Sequence, residues 1–290
     1  MQCSSRREFI KTAGVVTLGL VAVSGTAGAV LSCASPTPTA APTNVPTITP
    51  NPAALSVAQL TAAGVVAHPW PLKKIDATAA AERAYAAYSN GGCMYGAFEG
   101  IIGEMREKYG PPFDAFPAAM MKYGGAGVSG WGTLCGALNG AAAAIALVTE
   151  PKVTSPIINE VYGWYGVTPL PDYKPVKPKF ANIDTSVAAS QLCHTSVTKW
   201  CDKTGFKALS PERAERCAWL TASVARYTAD LLNKQADGAF KATFAVPASV
   251  TGCLSCHGKG GPIENVHVSN QTVCTECHDS LGSGHPSSGK

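Results

Sequence analysis

The chain has 290 residues, with 11 cysteines and a formal charge of +4. This length allows one sizeable core with a small appendage. So small a charge argues against nucleic-acid binding and against strong attachment to anionic lipid.

Residues 1–33 read as an export signal. The basic stretch Ser5–Lys11 contains Arg6-Arg7 and precedes a Gly-rich, moderately apolar run over residues 13–31. This order is typical of a twin-arginine signal peptide, so we expect export to the periplasm or to the outer face of the cytoplasmic membrane. The apolar run is also about long enough to span a bilayer, which leaves an uncleaved anchor as the alternative.

Two cleavage sites compete at the end of this signal. Val30-Leu31-Ser32-Cys33 resembles a lipobox, which would leave Cys33 lipidated, whereas Ala27-Gly28-Ala29 resembles an ordinary cleavage site. The Pro/Thr-rich residues 34–54 carry no charge and resemble an extended tether, which favours the lipid anchor. Removal of residues 1–33 would lower the charge to +2.

Hydrophobic periodicity predicts a mainly α fold for residues 55–245, the helical body. Strand-like alternation is scarce throughout this part of the chain. The small residues Gly136, Gly140 and Ala144 share one helix face, which would let another backbone approach closely. Helices are expected, in chain order, over residues 76–88 (capped by Asp76 and ended by Asn90-Gly91-Gly92), 93–108, 133–148, from Ser155-Pro156, over 186–203 and over 210–233.

Residues 125–130 spell Gly-x-Gly-x-x-Gly, a pattern found in dinucleotide-binding proteins. No predicted strand precedes it and no βαβ unit surrounds it. We therefore interpret these residues as a turn that positions the Cys135 helix.

Five cysteines lie in the body: Cys93, Cys135, Cys193, Cys201 and Cys217. In an exported protein they could be buried thiols or disulfides. The alternative is an iron–sulfur cluster held by thiolates. Because the twin-arginine route moves folded proteins, a cluster assembled before export favours this second interpretation. Cys135, Cys193, Cys201 and Cys217 are the expected ligands, with Cys93 as the alternative fourth.

Residues 246–290 contain two Cys-x-x-Cys-His motifs. The first is Cys253, Cys256 and His257, and the second is Cys274, Cys277 and His278. The four cysteines also fit a zinc pattern, but a zinc ribbon needs no histidine after each pair. In covalent haem attachment the two thiols bond the porphyrin vinyl groups and the next residue presents an imidazole to the iron. A segment with so few large apolar residues cannot build its own core. We expect a small, irregular segment organised around two covalent c-type haems.

These features together resemble a known family. Cys93, the run from Gly130 to Gly140, Cys193 and Cys217 resemble the redox-active C_GCAxxG_C_C proteins, although this chain reads Cys-Gly-Ala at 135–137 where the family name has Gly-Cys-Ala. With the two haem motifs, residues 68–290 resemble the split-Soret cytochromes c. The resemblance implies electron transfer, an iron–sulfur cluster in the body, and a homodimer that packs four bis-histidine haems together, with some ligands crossing the interface.

Two irons each need a sixth ligand unless a site is open. His267 and His285 lie within the haem segment and are the first candidates, followed by His68 at the end of the tether and then His194. Enough histidines exist to fill both irons, and no acid–base constellation accompanies them. The sequence therefore favours an electron carrier with unidentified redox partners over an oxidoreductase with an open haem or cluster site.

Overall fold

The computed structural model describes residues 66–264 and 271–276, and within these ranges it contains helices, two isolated β-bridges and no strand. The mainly α fold is therefore confirmed. The described residues belong to one compact unit, Leu55–Lys290. We label the described α-helices in chain order: α1 Ala77–Phe98, α2 Glu104–Tyr109, α3 Gly136–Val148, α4 Pro151–Val167, α5 Cys193–Thr204, α6 Pro211–Ala236 and α7 Ala248–His257.

Helix α1 begins where the sequence predicted, because the Asp76 carboxylate accepts hydrogen bonds from the amides of Thr78 and Ala79, at 2.7 and 2.9 Å. The predicted break near residues 90–92 is present within α1. Gly92 has a φ of 77° and a ψ of −171°, which are not helical, so two helical segments meet there at a kink and the second ends at Phe98. A π-helical turn, Glu99–Gly103, then leads into α2.

Two helix starts differ from the sequence prediction. Helix α4 begins at Pro151 rather than at Ser155, because Pro151 takes the first helical position, and Pro156 lies inside the helix. Helix α5 begins at Cys193 rather than near Ser186. The backbone of Ser186 is instead paired with Leu170, with N–O distances of 2.9 and 3.0 Å.

Helix α6 runs through the middle of the body. The Ser210 hydroxyl caps its start by accepting from the amide of Arg213 at 3.2 Å. The apolar side chains that follow helical spacing along α6 are buried, since Leu220, Val224 and Leu231 are at most 5% exposed. Among residues 66–264 and 271–276, no helix is both long and apolar enough to cross a membrane.

Helices α1 and α3 approach each other along the small-residue face of α3. A Cβ atom added to Gly140 would lie 2.2 Å from the Met94 carbonyl oxygen, and one added to Gly136 would lie 2.4 Å from Cys93 Sγ. Neither contact leaves room for a methyl group. The close helix pair is therefore a direct consequence of the two glycines, as the sequence predicted.

We predict that Gly140→Ala lowers the free energy of unfolding by about 1–3 kcal/mol, because the added methyl would overlap backbone atoms of α1. Asn139→Ala, one residue earlier and partly exposed, is the matched control and should change it by less than about 0.5 kcal/mol. Denaturant titration followed by far-UV circular dichroism measures both. Equal stability of the two variants would contradict the close packing.

Candidate functional site

Four of the five body cysteines come from four different helices. Cys93 follows the kink in α1, Cys135 is the N-cap of α3, Cys193 is the first residue of α5, and Cys217 lies in the second turn of α6. Every described cysteine is a free thiol. The structure therefore forms no disulfide among the body cysteines.

A short antiparallel bridge joins the segments that lead into α3 and α5. It pairs Leu134 with Leu192. The amide of Cys193 donates to the Thr133 carbonyl at 2.6 Å. Because each bridging segment ends at a helix start, the bridge brings Cys135 and Cys193 together.

The predicted turn over residues 125–130 wraps around these cysteines. Gly127 has a φ of 68°, and a Cβ added there would lie 2.8 Å from Cys193 Cβ. No strand precedes the turn in the described chain, where a 3-10 helix, Ala118–Gly124, leads into it. The Gly-x-Gly-x-x-Gly pattern thus serves close packing around the Cys135 helix.

The four thiols lie within range of one another's charge. Burial raises the pKa of Cys93, and the thiolates of Cys135, Cys217 and Cys193 raise it further. Burial likewise raises the pKa of Cys193 to about 12, with additional increases from Cys135 and Cys217. Two buried thiols, Cys93 and Cys135, beside two partly buried ones form a site that favours a positively charged occupant, because such an occupant offsets the repulsion between thiolates.

Cys135 has the strongest set of groups that favour its thiolate. Burial raises its pKa, but the Tyr165 hydroxyl and the backbone amides of Ala137 and Leu138 act in the opposite direction. These amides are the unpaired donors of the first turn of α3, where the helix dipole also favours negative charge.

Cys201 lies apart from this group. It is eight residues after Cys193 on the same helix, which separates the two positions by about 12 Å along the helix axis. Burial raises its pKa, Arg213 and Arg216 lower it, and the charge of Cys217 raises it by less than any of these. The structure therefore groups Cys93 with Cys135, Cys193 and Cys217, and not the expected Cys201. We call these four residues the cysteine cluster.

The cysteine cluster is too open for a single metal ion. Within the described residues, no three His, Cys, Asp or Glu side chains lie close enough together to hold one ion. An iron–sulfur cluster holds its thiolates further apart, because several iron and sulfide ions lie between them. The thiolate donor set, with amide donors around it, fits such a cluster better than it fits one ion.

The first haem motif lies on a short helix at the start of the C-terminal segment. Cys253 and Cys256 are three residues apart on α7 and so share a face, and His257 ends the helix. Cys274 lies on the 3-10 turn Cys274–Glu276. Burial raises the pKa of its thiol, and the charge of Cys253 and a hydrogen bond with the Cys253 thiol raise it further. The thiols of Cys253 and Cys274 are therefore neighbours. The two motifs are therefore adjacent. The other predicted residues of this segment, Cys277, His278, His267 and His285, lie outside the described residues.

The segment is attached to the body on both sides of the gap at 265–270. The buried carboxylate of Glu160 accepts from the amides of Thr243 and Phe244 ahead of α7. After the gap, the Thr272 hydroxyl donates to Gln191 Oε1 at 3.1 Å, and Glu276 pairs with Lys199. These polar contacts attach the chain ahead of α7, and the 3-10 turn that carries Cys274, to the body.

A cavity of about 490 Å³ opens between α4 and this segment. Its lining is mostly apolar and includes Trp164, Val167, Phe244 and Val273, the last being adjacent to Cys274. An apolar cavity beside a cysteine of a predicted haem motif has the chemistry that a porphyrin face requires.

The two described histidine candidates both bond to backbone carbonyls of the body. His68 Nε2 lies 2.7 Å from the Ala146 oxygen, and His194 Nδ1 lies 2.9 Å from the Gly132 oxygen. His194 is thus placed against the turn that covers the cysteine cluster.

A buried polar group beside the cysteine cluster was missed from the sequence. It consists of Arg216, Ser196 and Tyr165. Arg216 Nη2 and the Tyr165 hydroxyl each donate a hydrogen bond of 2.9 Å to Ser196 Oγ. The available signal was the charged residue next to Cys217 on the helix that carries the apolar positions Leu220, Val224 and Leu231. Helical spacing alone did not show that it would be buried.

Comparison with known proteins agrees with this architecture. The family profile described as "redox-active protein (C_GCAxxG_C_C)" matches residues 95–231. The split-Soret cytochrome c of Desulfovibrio desulfuricans is 41% identical over 216 residues, which cover 72% of this chain and 77% of that protein. A solved structure described as showing a novel iron centre in that organism's split-Soret cytochrome c has a TM-score of 0.68 and 39% identity, covering 76% of this chain and 93% of the solved chain. The chain therefore belongs to the split-Soret cytochrome c family.

Proposed function

We propose that this protein is an electron-transfer cytochrome with two covalent c-type haems on residues 246–290 and an iron–sulfur cluster in the helical body. Membership of the split-Soret cytochrome c family supports the cytochrome function, with haem and iron as cofactors. The observation that carries the two-haem proposal is the adjacency of Cys253 and Cys274, one from each attachment motif. Two porphyrins bonded there would lie close together, as rapid transfer between them requires.

The haems, when bound, supply reversible one-electron oxidation and reduction of iron. Cys253, Cys256, Cys274 and Cys277 would hold the porphyrins through thioether bonds, and His257 and His278 would supply imidazoles to the irons. The body positions both motifs through Glu160, Gln191 and Lys199. Apolar side chains of the cavity beside Val273 would exclude water from one porphyrin face.

The cysteine cluster would hold the iron–sulfur cluster. Cys93, Cys135, Cys193 and Cys217 approach it from four helices, so loss of any one thiolate leaves the other three in place. Cys93 and Cys135 are buried, at 9% and 4% exposed, which would shield their side of that centre from water. A solved relative described as having an iron centre supports a second iron site in addition to haem.

Export, anchoring and assembly belong to the same proposal. The twin-arginine signal, Cys33 and the tether at 34–54 support a protein attached to the outer face of the cytoplasmic membrane or free in the periplasm. A homodimer would cover porphyrin faces that the short segment cannot cover itself, at about 25 cal/mol per Å² of apolar area removed from water. The electron donor and acceptor would be other redox proteins.

We predict two covalent haems per chain. Denatured protein should retain its haem absorbance and have the mass of the chain plus two haems, and Cys253→Ala with Cys256→Ala should remove one of them. The matched double variant Cys274→Ala with Cys277→Ala should also leave one. Haem that extracts into acidified organic solvent, or bound zinc, would show that the motifs have another role.

We predict acid-labile sulfide, and iron in excess of haem iron, in protein purified without oxygen. Cys135→Ser should lose most of this sulfide, because it removes the thiolate with the most supporting donors. Cys201→Ser is the matched control and should retain it. If Cys201→Ser loses the sulfide while Cys93→Ser keeps it, the ligand set expected from the sequence is correct instead.

We predict that both haems are low-spin with two histidine ligands, and that His267 and His285 complete them. His267→Ala or His285→Ala should convert one haem to a high-spin optical spectrum, and should weaken the dimer in analytical ultracentrifugation if that ligand crosses the interface. His194→Ala is the control, because its ring is bonded to the Gly132 carbonyl. A low-spin monomer after both replacements would move the assignment to His68 and His194.

A further inference from the structure

Arg216 is a buried cation. Its side chain is 1% exposed and lies on α6 directly before Cys217. Charged side chains are almost never fully buried unless an opposite charge accompanies them, because burial removes their hydration. A compensating negative charge is therefore expected close to the Arg216 guanidinium.

No carboxylate supplies it in the part of the chain that the structure describes. The ion pairs formed there do not include Arg216. Its Nη2 donates to Ser196 Oγ at 2.9 Å, while Nε has no hydrogen-bond partner there. The neighbouring Glu215 does not compensate it, because that carboxylate accepts from Tyr85 and Trp219.

The ionisable groups that face Arg216 are Cys217, Tyr165 and Cys135, in decreasing order of influence. Tyr165 reaches this group through Ser196 Oγ, to which its hydroxyl donates at 2.9 Å. Arg213, one turn earlier on α6 and partly exposed, faces Cys217 and also Cys193. Two guanidinium groups thus point at the cysteine cluster from α6.

We infer that Arg216, assisted by Arg213, supplies the positive charge that offsets the thiolates of the cysteine cluster and raises the reduction potential of the iron–sulfur centre held there. This inference rests on the proposed function. Arg216 is a positioning residue in this role: it acts on the centre through charge and contacts the thiolate ligands, and no bond to it forms or breaks.

The direction of the effect follows from electrostatics. Reduction adds one electron, and so one negative charge, to a centre that already carries the charge of its thiolates. A fixed cation in a poorly hydrated interior stabilises the reduced form more than the oxidised form. Loss of the guanidinium charge should therefore shift the potential to a more negative value.

The test is a redox titration of the complete holoprotein with dithionite and mediators, in which cluster reduction is followed by electron paramagnetic resonance and haem reduction by absorbance. Arg216→Gln should shift the cluster potential to more negative values and change the haem potentials less. Arg216→Lys, which keeps the charge, should abolish most of that shift and return the cluster potential towards the wild-type value. Arg226→Gln is the matched control on the same helix, since Arg226 pairs with Asp172 and should leave the cluster potential unchanged.

Each result has a defined meaning. An unchanged potential in Arg216→Gln that retains its labile sulfide overturns the inference and leaves the proposed function standing. Absence of labile sulfide from the wild-type protein overturns the proposed cluster and this inference with it. If Arg216→Gln loses the cluster, Arg213→Gln decides: a smaller shift in the same direction supports the inference, and no shift overturns it.

Discussion

The close approach of α1 to α3 is the constraint on which the rest of the structure depends. It exists because Gly136 and Gly140 present no side chain to α1, so that the Met94 carbonyl and Cys93 Sγ occupy the space of the missing methyl groups. The same contact places Cys93 beside the N-terminus of α3, where Cys135 is the cap. The contact that packs α1 against α3 therefore also brings Cys93 close to Cys135.

The thiol site combines features that are unfavourable on their own. The pKa values of Cys93, Cys135 and Cys193 are raised, first by burial and then by neighbouring thiolates, and Arg216 is a cation without a carboxylate partner in the described chain. Both the thiols and the arginine would be stabilised if the thiols bound iron as thiolates. The metal would stabilise the thiolates, and the thiolates would supply the negative charge that the buried Arg216 guanidinium requires. We interpret the pairing of these unfavourable features as an indication of a resident metal centre.

The helical body and the haem segment are connected close to the cysteine cluster. The Gln191 carbonyl accepts from the amide of Cys135, and its side chain accepts from Thr272, two residues before Cys274. Helix α5 adds a second connection, since it begins at Cys193 and carries Lys199, which pairs with Glu276. If both proposed centres are present, the chain holds them near each other through these few contacts.

The sequence by itself determined the features that depend on neighbouring residues. The cap at Asp76, the small-residue face of α3 and the two Cys-x-x-Cys-His motifs all follow from local spacing. Only the tertiary structure decided which of the five body cysteines lie close together in the cysteine cluster. Cys193 and Cys201 share a helix and look equivalent in sequence, but the Leu134–Leu192 bridge brings only the start of α5 to Cys135. The burial of Arg216 was decided in the same way, because it depends on contacts with Ser196 and Tyr165 that are distant in the chain.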